Sequence, residues 1–209
     1  MKKKTEFGNI GIQLALLAAH LVLKNYGEAE RLMNRLLENG VEQNILREAI
    51  IQTYLFDGYP TALEGLFLLC DILKEDNRPP PAEDLKADII RKWQEQGESA
   101  CRIIYNHNYS RLISNVEKLS PDLANWMIVE GYGKTLSRDA LDLKVREFIN
   151  VAILAVKGYP RQLHSHLKGS INAGAAHAEI GELLKSLEPL NPDSIGKAYK
   201  LWKNIKLKK

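Results

Sequence analysis

Cysteine is scarce in this chain. Cys70 and Cys101 are the only two among 209 residues, and no CxxC or metal-type Cys/His spacing occurs. That composition excludes a disulfide-stapled scaffold, a zinc module and a vicinal dithiol centre, and it leaves reduced core thiols as the expected state. Long hydrophobic runs are missing too. The most apolar stretch near the start, residues 10–23, is interrupted by Gln13 and His20. It falls short of the ~18 continuous apolar residues of a membrane span and has no small-residue cleavage site. A cytoplasmic protein with no membrane partner is the expectation. Basic residues form no interior stripe: the net charge of +3 owes much to Lys2, Lys3 and Lys4 and to Lys203, Lys206, Lys208 and Lys209 at the two ends. Trp93, Trp126 and Trp202 are isolated from one another, like single core anchors, and make no base-stacking platform. Nucleic acid is therefore not an expected partner. Gly131-Tyr132-Gly133 lacks the remaining residues of a phosphate loop and follows no strand.

What is present is helical periodicity. Apolar residues make up 45% and charged residues 26%, as in ordinary globular proteins, and the length suffices for a sizeable core. Apolar positions recur at helical spacing almost throughout, and no alternating strand pattern stands out. The spacing predicts helices over 10–25, 28–38, from 43 to a break at Asp57-Gly58-Tyr59-Pro60, and over 61–74. Asn77-Arg78-Pro79-Pro80-Pro81 then reads as a spacer. Further helices are predicted over 83–96, 99–108 and 110–118. Another opens at Ser120-Pro121 and ends at Gly131-Tyr132-Gly133. The last four cover 141–157, 161–173, 177–187 and 194–207. The expected class is all-α, with a first unit at 8–76, a linker at 77–84 and a second unit at 85–207. An offset of 134 residues places Gly40 on Gly174, Glu48 on Glu182 and Ala18 on Ala152 while keeping the apolar pattern, so the units read as two related helical designs. The tripeptide Gly-Tyr-Pro at 58 and 158 does not fit that offset and reads as coincidence.

The segment from Leu141 to Leu184 carries a resemblance. Tyr132-Gly133, Arg138, Leu141-Asp142 and Arg146-Glu147 precede His166-Leu-Lys-Gly-Ser-Ile-Asn-Ala-Gly174, and Glu179-Ile180 and Glu182 follow it. This series resembles the carboxymuconolactone decarboxylase family, which includes the alkylhydroperoxidase D-like proteins. Its pattern is His-x-x-x-Ala-x-Asn-x-Gly, with Ser170 here at the usual Ala. Residues 8–70 resemble a second, more worn copy, with Leu32 at the His position, Glu28 four residues before it, and a closing segment of Tyr54, Gly58, Pro60 and Ala62. The chain departs from the redox branch, which has CxxC ahead of the His. It departs from the decarboxylase branch in having Gln162 where Glu is usual. The resemblance implies two fused units of the alkylhydroperoxidase D type, homo-oligomers (a trimer or a dimer), and cofactor-independent chemistry on a small organic acid.

His166 is the first catalytic candidate, because imidazole transfers protons near neutrality. Gln162, at i−4, shares its helical face and is a candidate to bind substrate. His164 points about 200° away from His166. Arg146 and Arg138 are candidates to grip a carboxylate. Glu130 is a candidate base beside the glycine turn, and Tyr132 a substrate contact or a packing residue with its hydroxyl in water. No metal site is expected. The expected activity is that of a lyase on a small carboxylated lactone or organic acid, with His166 as proton donor. Two other readings remain open: an alkylhydroperoxidase-like oxidoreductase with peroxiredoxin activity, which needs Cys70 or Cys101 at the pocket, and a non-catalytic oligomeric binding module.

Overall fold

The computed structural model describes residues 9–207. Helices fill most of that span, and no strand occurs among the described residues. The order is α1 (Ile10–Val22), α2 (Tyr26–Glu38), α3 (Gln43–Gln52), α4 (Tyr54–Leu73), α5 (Ile89–Tyr105), α6 (Tyr109–Glu117) and α7 (Pro121–Trp126). A π-helix (Met127–Leu136) leads on to α8 (Leu143–Lys157), α9 (Pro160–Asn172), α10 (His177–Leu187) and α11 (Pro192–Lys206).

Local chemistry sets most of the boundaries. Asn9 caps α1 by accepting from the Gly11 amide at 2.9 Å, and Asp142 caps α8 by accepting from Val145 at 2.8 Å. Ser120 and Asn191 do the same where Pro121 and Pro192 open α7 and α11. Gly158 closes α8 in the left-handed region, at φ 75°. Gly58, at φ 78°, kinks α4 just before Pro60, so the expected break at 57–60 is present as a bend.

The centre of the molecule is the pair α1 and α8, which pack on each other. Both are apolar around most of their circumference, the mark of a helix enclosed by others. Ala15, Ala18 and Ala19 on α1 are completely buried. Around this pair α2, α3 and α4 gather on one side and α9, α10 and α11 on the other, all in one continuous core. The 134-residue offset maps this layout onto itself. Tyr26–Glu38 falls on Pro160–Asn172, and the start of α3 at Gln43 falls on the start of α10 at His177. Gly40 and Gly174, paired by the same offset, both have positive φ, 80° and 95°. The packing partners correspond as well: α1 with α2 and α10, α8 with α9 and α3.

Between the two sets lies a separate cluster. Cys101 and Ile104 of α5 pack on Ile128, Tyr132 and Leu136 of the π-helix. Here the structure corrects two sequence expectations. Residues 83–96 and 99–108 do not form two helices split at Gly97, since Gly97 lies inside α5. Gly131-Tyr132-Gly133 does not stop its helix, which widens into π turns and runs to Leu136. The reason is backbone contact. A Cβ on Gly97 would overlap the Ile128 carbonyl, and one on Gly133 would overlap the Trp93 carbonyl. These glycines are places of close approach and do not break their helices.

The linker is held to the body. Asn77 donates to Cys70 Sγ at 3.0 Å and accepts from Arg47, while Glu83 accepts from Lys92 at 2.9 Å and from Trp93 Nε1 at 3.3 Å. No helix among the described residues is long and apolar enough to cross a membrane.

Because Gly133 meets backbone that has no rotamer to yield, Gly133→Ala is expected to cost about 1–3 kcal/mol. Thermal unfolding followed by circular dichroism should show a melting point lower by several degrees. An unchanged melting point would remove this contact from the account of the fold.

Candidate active site

The site begins with a conflict in α8. Its residues 146–156 are buried without interruption, yet Arg146, Glu147 and Asn150 sit among them at 0% exposure. Charges in such a place must be paired. Successive residues on a helix point about 100° apart, so the two charges leave α8 in different directions.

Arg146 turns toward α3. It donates to Glu48 Oε2 at 3.0 Å, to Gln52 Oε1 at 3.2 Å and to the Arg138 carbonyl at 2.8 Å. Arg138 grips the same Glu48 carboxylate through Nε and Nη2, at 2.7–2.9 Å. Burial pushes the Glu48 pKa up, but the hydrogen bonds and charges of Arg138 and Arg146 outweigh it and hold the group below its ordinary value. Burial is also the main cause of a lowered pKa at Arg146.

Glu147 turns the other way, toward α9. His166 Nδ1 lies 2.9 Å from Glu147 Oε2 and 3.1 Å from Oε1. A carboxylate only accepts, so Nδ1 carries the hydrogen. No protein bond reaches His166 Nε2 among the described residues. Asn150 donates to Glu147 at 2.9 Å and accepts from Gln52 at 2.8 Å. A chain of hydrogen bonds therefore runs from Arg138 and Glu48 through Arg146, Gln52 and Asn150 to Glu147 and His166. Gly169, one turn beyond His166, makes room for the carboxylate, because a Cβ there would overlap Glu147 Oε2.

His166 forms part of the wall of a cleft of about 650 Å³. Its ring meets Phe56 edge-on, at 6.2 Å between centroids. Leu119, Leu123, Trp126 and Met127 give the cleft an apolar side, while Glu130, Arg161 and Gln162 supply polar groups. Tyr132 and Tyr105 also line it. Contrary to the expectation of a hydroxyl in water, Tyr132 is buried and donates to the Tyr105 hydroxyl at 3.2 Å. Burial raises both phenol pKa values, so these groups stay protonated.

Of the residues selected from sequence, His166, Gln162, Glu130 and Tyr132 come together at this cleft. Arg146 and Arg138 stand apart from it, because both guanidinium groups are bonded to Glu48. The arginine at the cleft is Arg161. Cys101 is fully buried, and burial pushes its thiol up to about 12, so it carries no thiolate at neutral pH. Cys70 is also a free thiol and lines no part of the cleft. Sequence reasoning missed Glu147 as a site residue. The available signal was a Glu and an Asn three residues apart, on one face of an otherwise apolar helix. Among the described residues no group of three or more His, Cys, Asp or Glu is gathered to hold a metal.

Residues 121–193 match the model of the carboxymuconolactone decarboxylase family. The matched span contains both Glu147 and His166. The chain is similar to peroxisomal protein 2 of Schizosaccharomyces pombe, 27% identical over 139 residues, which is 65% of this chain and 63% of that protein. It is also similar to a 4-carboxymuconolactone decarboxylase of Acinetobacter baylyi, 22% identical over 94 residues, 45% of this chain and 70% of that protein. The chain thus spans under two thirds of the length of the yeast relative.

Removing the Glu48 charge leaves Arg146 buried without a counterion, so Glu48→Gln is expected to lower stability by about 3–5 kcal/mol. The folded-state pKa of Glu48 lies below its unfolded value. Its contribution is therefore present above about pH 4.3 and fades as pH falls through the folded-state pKa. Urea unfolding at several pH values should show a loss of stability at acid pH that is smaller in Glu48→Gln. Equal acid sensitivity in the two proteins would assign the effect to other carboxylates.

Proposed function

We propose that this protein is a carboxymuconolactone decarboxylase-like enzyme, acting without a cofactor on a small carboxylated lactone or related organic acid. The observation that carries this reading is the Glu147–His166 pair in the wall of a largely apolar cleft. The carboxylate fixes Nδ1–H and leaves Nε2 for the substrate, and it balances the charge of a doubly protonated ring. The reaction assigned to the site is the breaking of the bond between the substrate carboxylate and its carbon. Carbon dioxide leaves, and the electron pair passes into the conjugated carbonyl. His166 Nε2–H then delivers a proton to carbon and is reprotonated from solvent through the mouth of the cleft. Arg161 and Gln162 are placed to hold the carboxylate and carbonyl of the substrate. Weak solvation in the apolar part of the cleft favours loss of a carboxylate. The buried thiol of Cys101 speaks against the alkylhydroperoxidase-like alternative.

Two related units in one chain are supported by the helix boundaries that the 134-residue offset brings together. In that register Gln13 and Leu32 stand where the other unit has Glu147 and His166, so the reading gives each chain a single site. Association of copies is supported by Tyr59, Leu63 and Phe67, which lie one turn apart on α4 and are 63%, 48% and 60% exposed.

The test is release of carbon dioxide from 4-carboxymuconolactone and a panel of similar carboxylated lactones. His166→Asn should lower turnover by about 10²–10⁴-fold with the melting point preserved, and Glu147→Gln should lower it less. An absence of turnover across the panel by the wild-type protein would leave the binding module as the better reading. Light scattering should give a dimer or trimer that Phe67→Glu dissociates. A monomeric wild-type chain would end the proposal of association.

A further inference from the structure

Behind the wall of the His166 cleft lies a second cleft, of about 550 Å³, with a different chemistry. Two helical stripes face each other across it. One carries His107, Arg111 and Asn115, spaced four residues apart through the turn before α6 and into α6. The other carries His164, Lys168 and Asn172, spaced four apart along α9. That spacing puts each triplet on one face of its helix, so both stripes look into the same space. An arginine, a lysine and two imidazoles thus line one cleft, and no Asp or Glu does. Among the described residues neither Arg111 nor Lys168 has a carboxylate partner. Ile104 and Ile171, with Ile205 from α11, give the same cleft an apolar side.

We propose that this cleft is a binding site for an amphipathic organic anion. Its carboxylate or phosphate sits between Arg111 and Lys168, and its apolar body lies on Ile104, Ile171 and Ile205. Paired cations grip such a head group through charge-assisted hydrogen bonds. The volume lies within the usual range for small-molecule sites. The site is separate from the His166 cleft. Tyr105, Leu112 and Ser165 line both spaces and form the partition, and α9 presents His166 on one side of its axis and His164 on another. The inference therefore does not depend on the reaction proposed for His166.

The experiment is calorimetric titration of the full chain with hexanoate, hexyl phosphate, inorganic phosphate and, as an uncharged control, hexanol. Wild type, His166→Asn and an Arg111→Gln/Lys168→Gln double variant are compared, the double variant after its melting point is shown to match wild type. Hexanoate or hexyl phosphate should saturate a single site, and whichever binds more tightly identifies the head group. Affinity should fall about tenfold or more in the double variant and stay unchanged in His166→Asn. Inorganic phosphate should bind more weakly and hexanol not at all. Three results would each overturn the proposal: no binding of either alkyl anion at millimolar concentration, equal binding in the double variant, or loss of binding in His166→Asn. The last would move the ligand to the other cleft.

Discussion

Burial of two opposite charges side by side at the start of α8 is the constraint on which the rest of the structure turns. Arg146 and Glu147 lie in a helix that is enclosed on every side, where an unpaired charge would cost several kcal/mol. Each therefore needs a partner from a different helix. Glu48 reaches in from α3 to meet Arg146, and His166 reaches in from α9 to meet Glu147. These two pairings tie the α1–α4 set and the α9 helix to the same point of α8. Apolar packing alone fixes such contacts less closely, because cores tolerate many arrangements of similar volume.

The same arrangement separates structure from chemistry. The Glu48 side of the network carries two guanidinium groups for one carboxylate. Both guanidinium groups bind that one carboxylate, and Arg138 remains partly exposed to solvent. The His166 side presents one ring nitrogen to a cleft. Asn150 and Gln52 join the two sides through neutral amides, so the orientation of Glu147 is set by groups anchored far from the cleft. A histidine held in this way keeps its tautomer and ring direction without help from a ligand. Gly169 completes the arrangement by leaving the carboxylate the space that any side chain would fill.

Much of the fold was legible in the sequence because helical periodicity and caps are local properties. The segments from 143 to 157 and from 177 to 187 follow from apolar spacing, Asp142 and the glycines and prolines between helices. What misled the reading was glycine. Gly97 and Gly131-Tyr132-Gly133 have the composition of helix ends, yet α5 and the π-helix run through them because two backbones touch there. No local signal distinguishes a glycine that ends a helix from one that lets another helix approach.

The candidate site divides along the same line. The sequence by itself determined the all-α class, the lengths of most helices, and the sharing of one helical face by His166 and Gln162, since these depend only on neighbours along the chain. The tertiary structure decided which charges meet. It assigned Arg146 and Arg138 to Glu48, placed Arg161 at the cleft, and revealed Glu147 as the partner of His166, across 19 residues of sequence. Ion pairing in a buried core depends on distance and exclusion of water, and both are set only when helices remote in sequence come together.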